Sequence, residues 1–432
     1  MERCPRAASA RQLAVGVSGG VDSMALVLLA ADWARSRGVN LTALTVDHGL
    51  RPEAMAEAAQ VAAWLAERDI GHAVLRVRET RPVSGIQEIA RDWRFSALEQ
   101  WRQDHGAESI LLAHTRNDQA ETLWLRIKAD SGPDGLAAMT PEVRIGGLPV
   151  SRPLLTVPKI RLAAVCDAHQ QAWIEDPSNQ DSSFARVRIR YLLPVLEDLG
   201  LGAEKMSNFA DVMSRLRKAV DNLCGEFLAK HGGVSPYGIA WFRHAAFEKL
   251  GAKVQIALIA RVVRWIGGGR RYPRIRRTWR LCEALLGGAP QVVRTLGGCV
   301  IRSVDGRIEV FREVVNCAAP IHLQPGKATR WDNRFQALNL GIEPLWIGAL
   351  GERGWRDWRR LFQDFGYTKR FTDLPHAARL SLPSIRALDG TVFLPHFVGE
   401  FDENSMKLVP PVEIVFRPDS DWFEALAAEK PE

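Results

Sequence analysis

The sequence predicts an α/β protein built on a parallel sheet, followed by a mainly helical region and a small α+β region. Three observations carry this. The first 125 residues alternate short β-type runs with longer segments of helical period. The β-type runs are almost continuously apolar, as strands covered on both faces are. The first run breaks into Ser18, Gly19, Gly20, Val21, Asp22 and Ser23 and opens directly into a helix-type segment. Ligands of such sheets sit at the C-terminal ends of the strands.

In order, the strand candidates are LAVGV (13–17), LTALTVD (41–47), HAVLRV (72–77) and SILLAH (109–114), and the helix candidates span 21–36, 53–68, 86–104 and 117–128. Residues 130–158 are rich in Gly and Pro and read as a long connection, with helix-type sequence resuming at Lys159. From 205 to 290 the pattern is helical, with VQIALIARVVRWI (254–266) the clearest apolar stretch, and 335–432 mixes short β-type runs with a Trp- and Arg-rich helix candidate. The expected domains are therefore 1–204, catalytic, then 205–330, mainly helical, and 335–432, small and α+β. No internal repeat or low-complexity tract interrupts them.

A chain of 432 residues exceeds what one core supports, and 47% hydrophobic with 25% charged residues is an ordinary globular composition. No apolar run reaches the roughly 18 residues of a membrane span. The opening MERCPRAASARQ has arginines but no apolar signal core, so a cytoplasmic protein is expected. Six cysteines are scattered without a Cys-x-x-Cys pair, which points to small core residues rather than a zinc ribbon or a disulfide framework. A net charge of +7 suits a polyanionic partner as well as many small-molecule enzymes. Arginines cluster at 184–193, 267–280 and 353–362, which indicates basic surfaces.

Ser18–Ser23 has the make-up of a phosphate loop: glycines allow close approach, and the N–H groups of the following helix's first turn face the ligand. The lysine of a Gly-x-x-x-x-Gly-Lys-Ser/Thr loop is absent, and so is Gly-x-Gly-x-x-Gly spacing. Asp22 beside phosphates is repulsive unless a cation intervenes, which implies Mg²⁺. The alternative is a helix cap above a tight turn.

These residues resemble the Ser-Gly-Gly-x-Asp-Ser loop of the PP-loop ATP pyrophosphatases, which split ATP between its α and β phosphates to adenylate an oxygen. The resemblance implies an adenine nucleotide α-hydrolase-like fold and ATP as substrate. Six further stretches follow in order within residues 13–200: TVDHGLRPEA (45–54), QEIARDWRFSAL (87–98), LLAHTRNDQAETLWLR (111–126), SGPDGLAAM (131–139), RPLL (152–155) and WIEDPSNQDSSFARVRIRYLLPVL (173–196). Their order and spacing are similar to those of the tRNA(Ile)-lysidine synthases, and 353–380 is similar to that family's basic C-terminal helix region. The resemblance implies adenylation of the C2 oxygen of the wobble cytidine in tRNA(Ile) with a CAU anticodon. Free lysine then displaces AMP to give lysidine. Whether such a chain is a monomer or a homodimer stays open.

His114, Asp118 and Glu121 stand at i, i+4 and i+7 of a strand-to-helix junction, which puts both carboxylates on one face. Two acids there can bind an ammonium nucleophile and take its proton, or simply suit the dipole of a capped first turn. His48, ending the second strand candidate, lies where such folds place adenine or ribose. Arg91 and Arg94 are one turn apart, and the resemblance turns this stretch, Arg91 foremost, toward nucleotide and substrate. Asp176 opens a turn by its Asx-Pro chemistry, and the resemblance makes it a site residue. Arg186 and Arg190 share a helical face with Arg188 off to the side, an arrangement suited to RNA phosphates or to local acids.

The family's usual Arg-Gly-Ser-Gly reads Ala129-Asp130-Ser131-Gly132 here, its Arg-Asn-Arg reads Arg186-Val187-Arg188, and Asn117 stands where a second aspartate is common. Downstream, Tyr272 and Trp279 interleave with arginines, as do Trp355 and Trp358, in a mix suited to RNA. The two tryptophans can equally be core. The rival functions are a cytidine-thiolating PP-loop enzyme, which commonly carries paired cysteines, a small-molecule amide synthetase, which needs an ammonia source, and a non-catalytic RNA-binding relic.

Overall fold

The computed structural model describes residues 1–47, 49, 53–77, 86–175, 181, 183, 185–269, 271–289, 291–362, 371, 373–400 and 410–418. Two compact units divide the chain, Met1–Lys218 and Ala219–Glu432.

The first unit is organised by a six-stranded sheet of β1 (Gln12–Gly16), β2 (Asn40–Asp47), β3 (Gly71–Arg76), β4 (Ser109–Leu111), β5 (Glu142–Ile145) and β6 (Leu148–Ser151), in the order β3-β2-β1-β4-β6-β5. All neighbours run parallel except β5 and β6. The middle of β1 and all of β4 and β6 are buried without a break, and successive side chains point to opposite faces of the sheet. Leu13, Val15, Ala43 and Leu111 pack into one apolar cluster, and Ala14, Leu44 and Ile110 into another. The unbroken apolar run Leu13–Val15 in β1 therefore follows from its burial on both faces.

The helices are α1 (Pro5–Ala8), α2 (Val21–Arg37), α3 (Ala54–Ala66), α4 (Ile86–His105), α5 (Arg116–Lys128), α6 (Pro133–Leu136), α7 (Lys159–Ala168), α8 (Ala185–Asp198) and α9 (Ala203–His231). Residues of α2, α3 and α7 cover one face, through Met24, Val27, Val61, Leu65, Leu162 and Cys166. Phe95, Leu98 and Trp101 of α4 cover the other. Ala120 and Leu123 of α5 meet Leu193 of α8 and Met206 and Ala210 of α9 in a separate cluster. The stretch 130–158, expected as one long connection, instead holds α6 and the β5–β6 hairpin. Gly146 and Gly147 both have positive φ, 60° and 93°. Two such residues between strands are what the tight hairpin turn demands.

In the second unit the helices expected between 205 and 290 are present, as the remainder of α9, α10 (His244–Glu248), α11 (Ala252–Ile266) and α12 (Ile275–Leu286). With them comes an antiparallel sheet that the helical period did not announce: β7 (Gly232–Val234), β8 (Ile239–Arg243), β9 (Val292–Leu296), β10 (Cys299–Val304) and β11 (Arg307–Arg312), in the order β7-β8-β11-β10-β9. The remainder is α+β. Strands β12 (Ile321–Leu323), β13 (Ala328–Trp331), β14 (Phe335–Asn339), β15 (Leu345–Ala349), β16 (Pro383–Arg386), β17 (Val392–Phe393) and β18 (Val412–Phe416) form two small sheets beside α13 (Gly351–Phe362) and α14 (His376–Leu380). One apolar cluster runs through the unit from Cys224 to Phe416.

Trp358 is 2% exposed, and Trp355 stacks on it with centroids 5.9 Å apart, so of the two alternatives for this pair the structure realises the core. Tyr272 lies under the guanidinium groups of Arg261 and Arg264, while Trp279 is exposed. Five cysteines are buried and all six are free thiols. Among the described residues no helix is long and apolar enough to cross a membrane.

A buried ion cluster ties the second unit together. Asp332 accepts from Arg312 Nη2 at 3.1 Å, from Arg334 Nε at 2.7 Å and from the backbone of Ala318 at 3.0 Å, and Arg334 is only 1% exposed. Removing one partner of such a group strands the others without water or counter-charge. Asp332→Ala is expected to lower the unfolding free energy of this unit by about 3–5 kcal/mol, read from its urea transition.

Candidate active site

Strands β2 and β3 extend from one side of β1, and β4 begins the other side. A crevice therefore opens at the C-terminal ends of β1 and β4, where the strand order reverses. Chain from both strands turns into helices there.

The loop after β1 is tied internally. Ser18 N donates to Ser23 Oγ at 3.1 Å, and Ser23 Oγ donates to the Gly20 carbonyl at 2.9 Å. Ser18 and Ser23 hydroxyls lie 3.3 Å apart. Ser23, in the loop expected to bind phosphate, is thus 6% exposed with its hydroxyl engaged within the loop. Gly19 has φ +83°, its carbonyl accepts from Ile174 N at 2.9 Å, and a Cβ there would stand 2.7 Å from Ile174 Cδ1. Only glycine meets both conditions. Gly20 is the N-cap of α2 without a side-chain cap, so the helix start presents N–H groups to the crevice.

Asp22, in the first turn of α2, has its Oδ2 3.4 Å from Lys159 Nζ, while Oδ1 is buried with no hydrogen-bond partner. Burial raises its proton affinity, Lys159 opposes this, and the nearby charge of Asp118 adds to it. An unpaired buried carboxylate oxygen beside a phosphate loop fits a Mg²⁺ ion shared with phosphates, since Mg²⁺ is commonly held by one or two carboxylates plus substrate oxygens.

At α5, Thr115 is the N-cap and Asp118 completes a capping box: Asp118 Oδ2 accepts from Thr115 N at 2.8 Å and from Thr115 Oγ1 at 2.9 Å. The cap reading of Asp118 is therefore realised through one of its two oxygens. Glu121, 2% exposed, accepts from Arg190 Nε at 2.9 Å and stands 3.4 Å from Arg186 Nε. Of the two roles open to these arginines, pairing with a local acid is what the geometry contains. Burial raises the proton affinity of Glu121 against the pull of Arg190. Arg188 donates to the Ser183 carbonyl at 2.7 Å.

His114, just past β4, accepts at Nδ1 from Arg152 Nε at 3.2 Å. Burial first, then Arg152, push its pKa down to about 3. The ring is neutral near pH 7, with its hydrogen on Nε2 as that bond requires. Arg91 lies over the Phe95 ring at 5.0 Å and adds positive charge near both His114 and Arg152. His48 and Asp176 lie outside the described residues.

The structure thus brings together the Ser18–Ser23 loop, Arg91, His114, Asp118, Glu121, Arg186 and Arg190. It adds two residues that sequence reasoning left without a role. Arg152, 5% exposed, follows β6 and is placed against His114 because β4 and β6 are neighbours. It opens the RPLL stretch, which was the available signal. Lys159 opens α7 and carries no such mark. Val187, where the family has an asparagine, is 6% exposed, and an inward position accepts valine readily. Asn117 accepts from Lys159 N at 3.1 Å.

The PP-loop domain family matches residues 2–196. The tRNA(Ile)-lysidine synthase of Bradyrhizobium diazoefficiens is 36% identical over 324 residues, covering 70% of this chain and 90% of that protein. The chain belongs to the tRNA(Ile)-lysidine synthase family. The tRNA(Ile)-lysidine synthase of Ruegeria pomeroyi is 33% identical over 381 residues, 87% of this chain and 86% of that protein. That of Rhodopseudomonas palustris is 38% identical over 317 residues, 70% and 90% of the two chains. Like other tRNA(Ile)-lysidine synthases, the chain is an ATP-dependent ligase on a PP-loop domain.

Two outcomes test this geometry. Gly19→Ala is expected to cost at least about 1–2 kcal/mol of unfolding free energy from the left-handed backbone alone, with further loss from the Ile174 contact, measurable by chemical denaturation. His114 is neutral in the fold, with a pKa of about 3 against an ordinary value of 6.5, so its contribution is fully present above pH 6.5 and is lost as the pH falls toward 3. His114→Gln is expected to flatten the loss of stability across that window relative to the parent chain, measured by urea unfolding at a series of pH values.

Proposed function

We propose that the chain adenylates the C2 oxygen of the wobble cytidine in a tRNA(Ile) precursor with a CAU anticodon, releasing pyrophosphate, and that the ε-amine of free lysine displaces AMP to leave lysidine. The observation that carries this reading is the meeting of two helix starts at one crevice. One follows a phosphate loop and bears Asp22 with an unpaired oxygen, and the other bears Asp118 and Glu121.

In this reading the backbone of Ser18–Ser23 and the start of α2 hold the phosphates. Asp22 would hold Mg²⁺, which neutralises polyphosphate charge when bound. Neutral His114 donates through Nε2, and Arg91 and Arg152 supply positive charge beside it. His48 and Asp176 take nucleotide and substrate contacts, a role that rests on the family resemblance. Asp118 attracts the lysine ammonium with the oxygen that its capping box leaves over. Glu121 takes the proton that the amine must lose to attack, and its raised proton affinity suits that task. Arg186 and Arg190 hold Glu121 in place and, with Arg188, face the anticodon region.

Regions 205–330 and 335–432 are proposed to grip the tRNA through exposed arginines and Trp279. A cytoplasmic site of action follows from such a substrate. Nitrogen rather than sulfur as the nucleophile is supported by the thiols: burial pushes up the pKa of Cys4, Cys166, Cys282, Cys299 and Cys317, which disfavours the reactive thiolate.

The deciding experiment incubates the protein with ATP, labelled lysine and a CAU-bearing tRNA(Ile) transcript, followed by nuclease digestion. A labelled nucleoside is expected, and its absence removes the reading. Glu121→Gln is expected to slow lysine incorporation by about 10²-fold or more. Pyrophosphate release without lysine should change little, and an unchanged lysine rate would refute the proton-accepting role.

A further inference from the structure

The phosphate loop supplies amides, hydroxyls and a carboxylate, but no cation of its own. A Gly-x-x-x-x-Gly-Lys loop carries its lysine within the motif, where the ammonium reaches the β and γ phosphates. Here an ammonium arrives from a different part of the chain. Lys159 opens α7, and its Nζ stands 3.4 Å from Asp22 Oδ2.

The backbone of Lys159 is anchored on both sides of the crevice. Toward α5, its N–H donates to Asn117 Oδ1 at 3.1 Å, and Arg116 N donates to the Val157 carbonyl at 3.0 Å. Toward α2, Leu162 and Cys166 are buried in the cluster that contains Met24 and Val27, and Cys166 Sγ reaches the Val21 carbonyl at 3.6 Å. Its side chain, by contrast, is 48% exposed, and Asp22 is the ionic partner of its ammonium among the described residues.

A half-exposed pair at this distance is worth little and exchanges readily. The pair also leaves Asp22 Oδ1 unsatisfied. Asp22, with its unpaired Oδ1, would hold a divalent cation that neutralises the phosphates, and the Lys159 ammonium, whose backbone is anchored, would then be released from this carboxylate. The nearest anion for that ammonium is then the polyphosphate on the loop.

Resting on the ATP-using reading above, we propose that Lys159 is the polyphosphate-binding cation of this site. Its ammonium lies on Asp22 and would move to the oxygens of the departing pyrophosphate when MgATP is bound. A role confined to neutralising Asp22 would affect all ligands of the crevice alike, whereas a phosphate contact selects those carrying the pyrophosphoryl group.

The test is isothermal titration calorimetry on the full chain with MgATP, with inorganic pyrophosphate plus Mg²⁺, and with AMP. Lys159→Met is expected to weaken MgATP and pyrophosphate by about tenfold or more, the scale of one charge-assisted contact. AMP should stay within about twofold, and Lys159→Arg should recover most of the pyrophosphate affinity by keeping the charge. Lys159→Gln provides a second neutral variant should the methionine disturb folding. Unchanged ATP and pyrophosphate binding in the neutral variants, or an equal loss for AMP, overturns the assignment while the ATP-using reading stands. A parent chain that binds neither ATP nor pyrophosphate overturns both.

Discussion

The pairing of β1 with β4 is the constraint on which the site depends. Three residues on each strand set it, Leu13 against Ser109, Ala14 against Ile110 and Val15 against Leu111. The two strands are far apart in sequence, yet this register ends them side by side, and chain leaving each end begins a helix at the same rim. A slip of one residue would exchange the faces of Leu111 and Ile110 and separate the two starts. Their apolar side chains, packed into different clusters above and below the sheet, make that slip costly.

From this adjacency the electrostatics follow. Asp22 and Asp118 come within reach of each other's charge, and each answers differently. Asp118 is satisfied locally by the Thr115 cap, and Glu121 by two arginines of α8. Asp22 alone of the three retains a buried oxygen without a partner. The crevice is thus built with most of its charges already matched, and its remaining imbalance lies next to the phosphate loop. Buried polar groups are ordinarily satisfied, so an exception so placed marks where a ligand completes the structure.

Much of this was legible in the chain. The parallel sheet followed from continuous apolar runs, and Ser18–Ser23 declared a phosphate loop because backbone geometry there demands glycine. What stayed hidden depended on facing and on neighbours. Strands β5 and β6 are four residues each, too short for a period to register, and their Gly146-Gly147 turn was lost in a stretch already rich in glycine. Trp355 and Trp358 sit among arginines in sequence but turn inward on α13, a distinction that composition does not contain. Arg152 and Lys159 join the site through the neighbours of their elements, β4 beside β6 and α7 against α2, and no local pattern encodes such neighbours.

The knot within the loop has a kinetic meaning. Ser18, Gly20 and Ser23 are bonded to one another, and Gly19 to Ile174, so the chain's own bonds hold the shape of the cradle. Little ordering entropy stands against capture, since a preorganised site has few side chains left to immobilise. A rigid cradle shaped for the tail of a triphosphate is equally shaped for the fragment cut from it. On the ATP-using reading, the groups that hold the triphosphate would also hold the pyrophosphate, so product would compete with substrate for the loop.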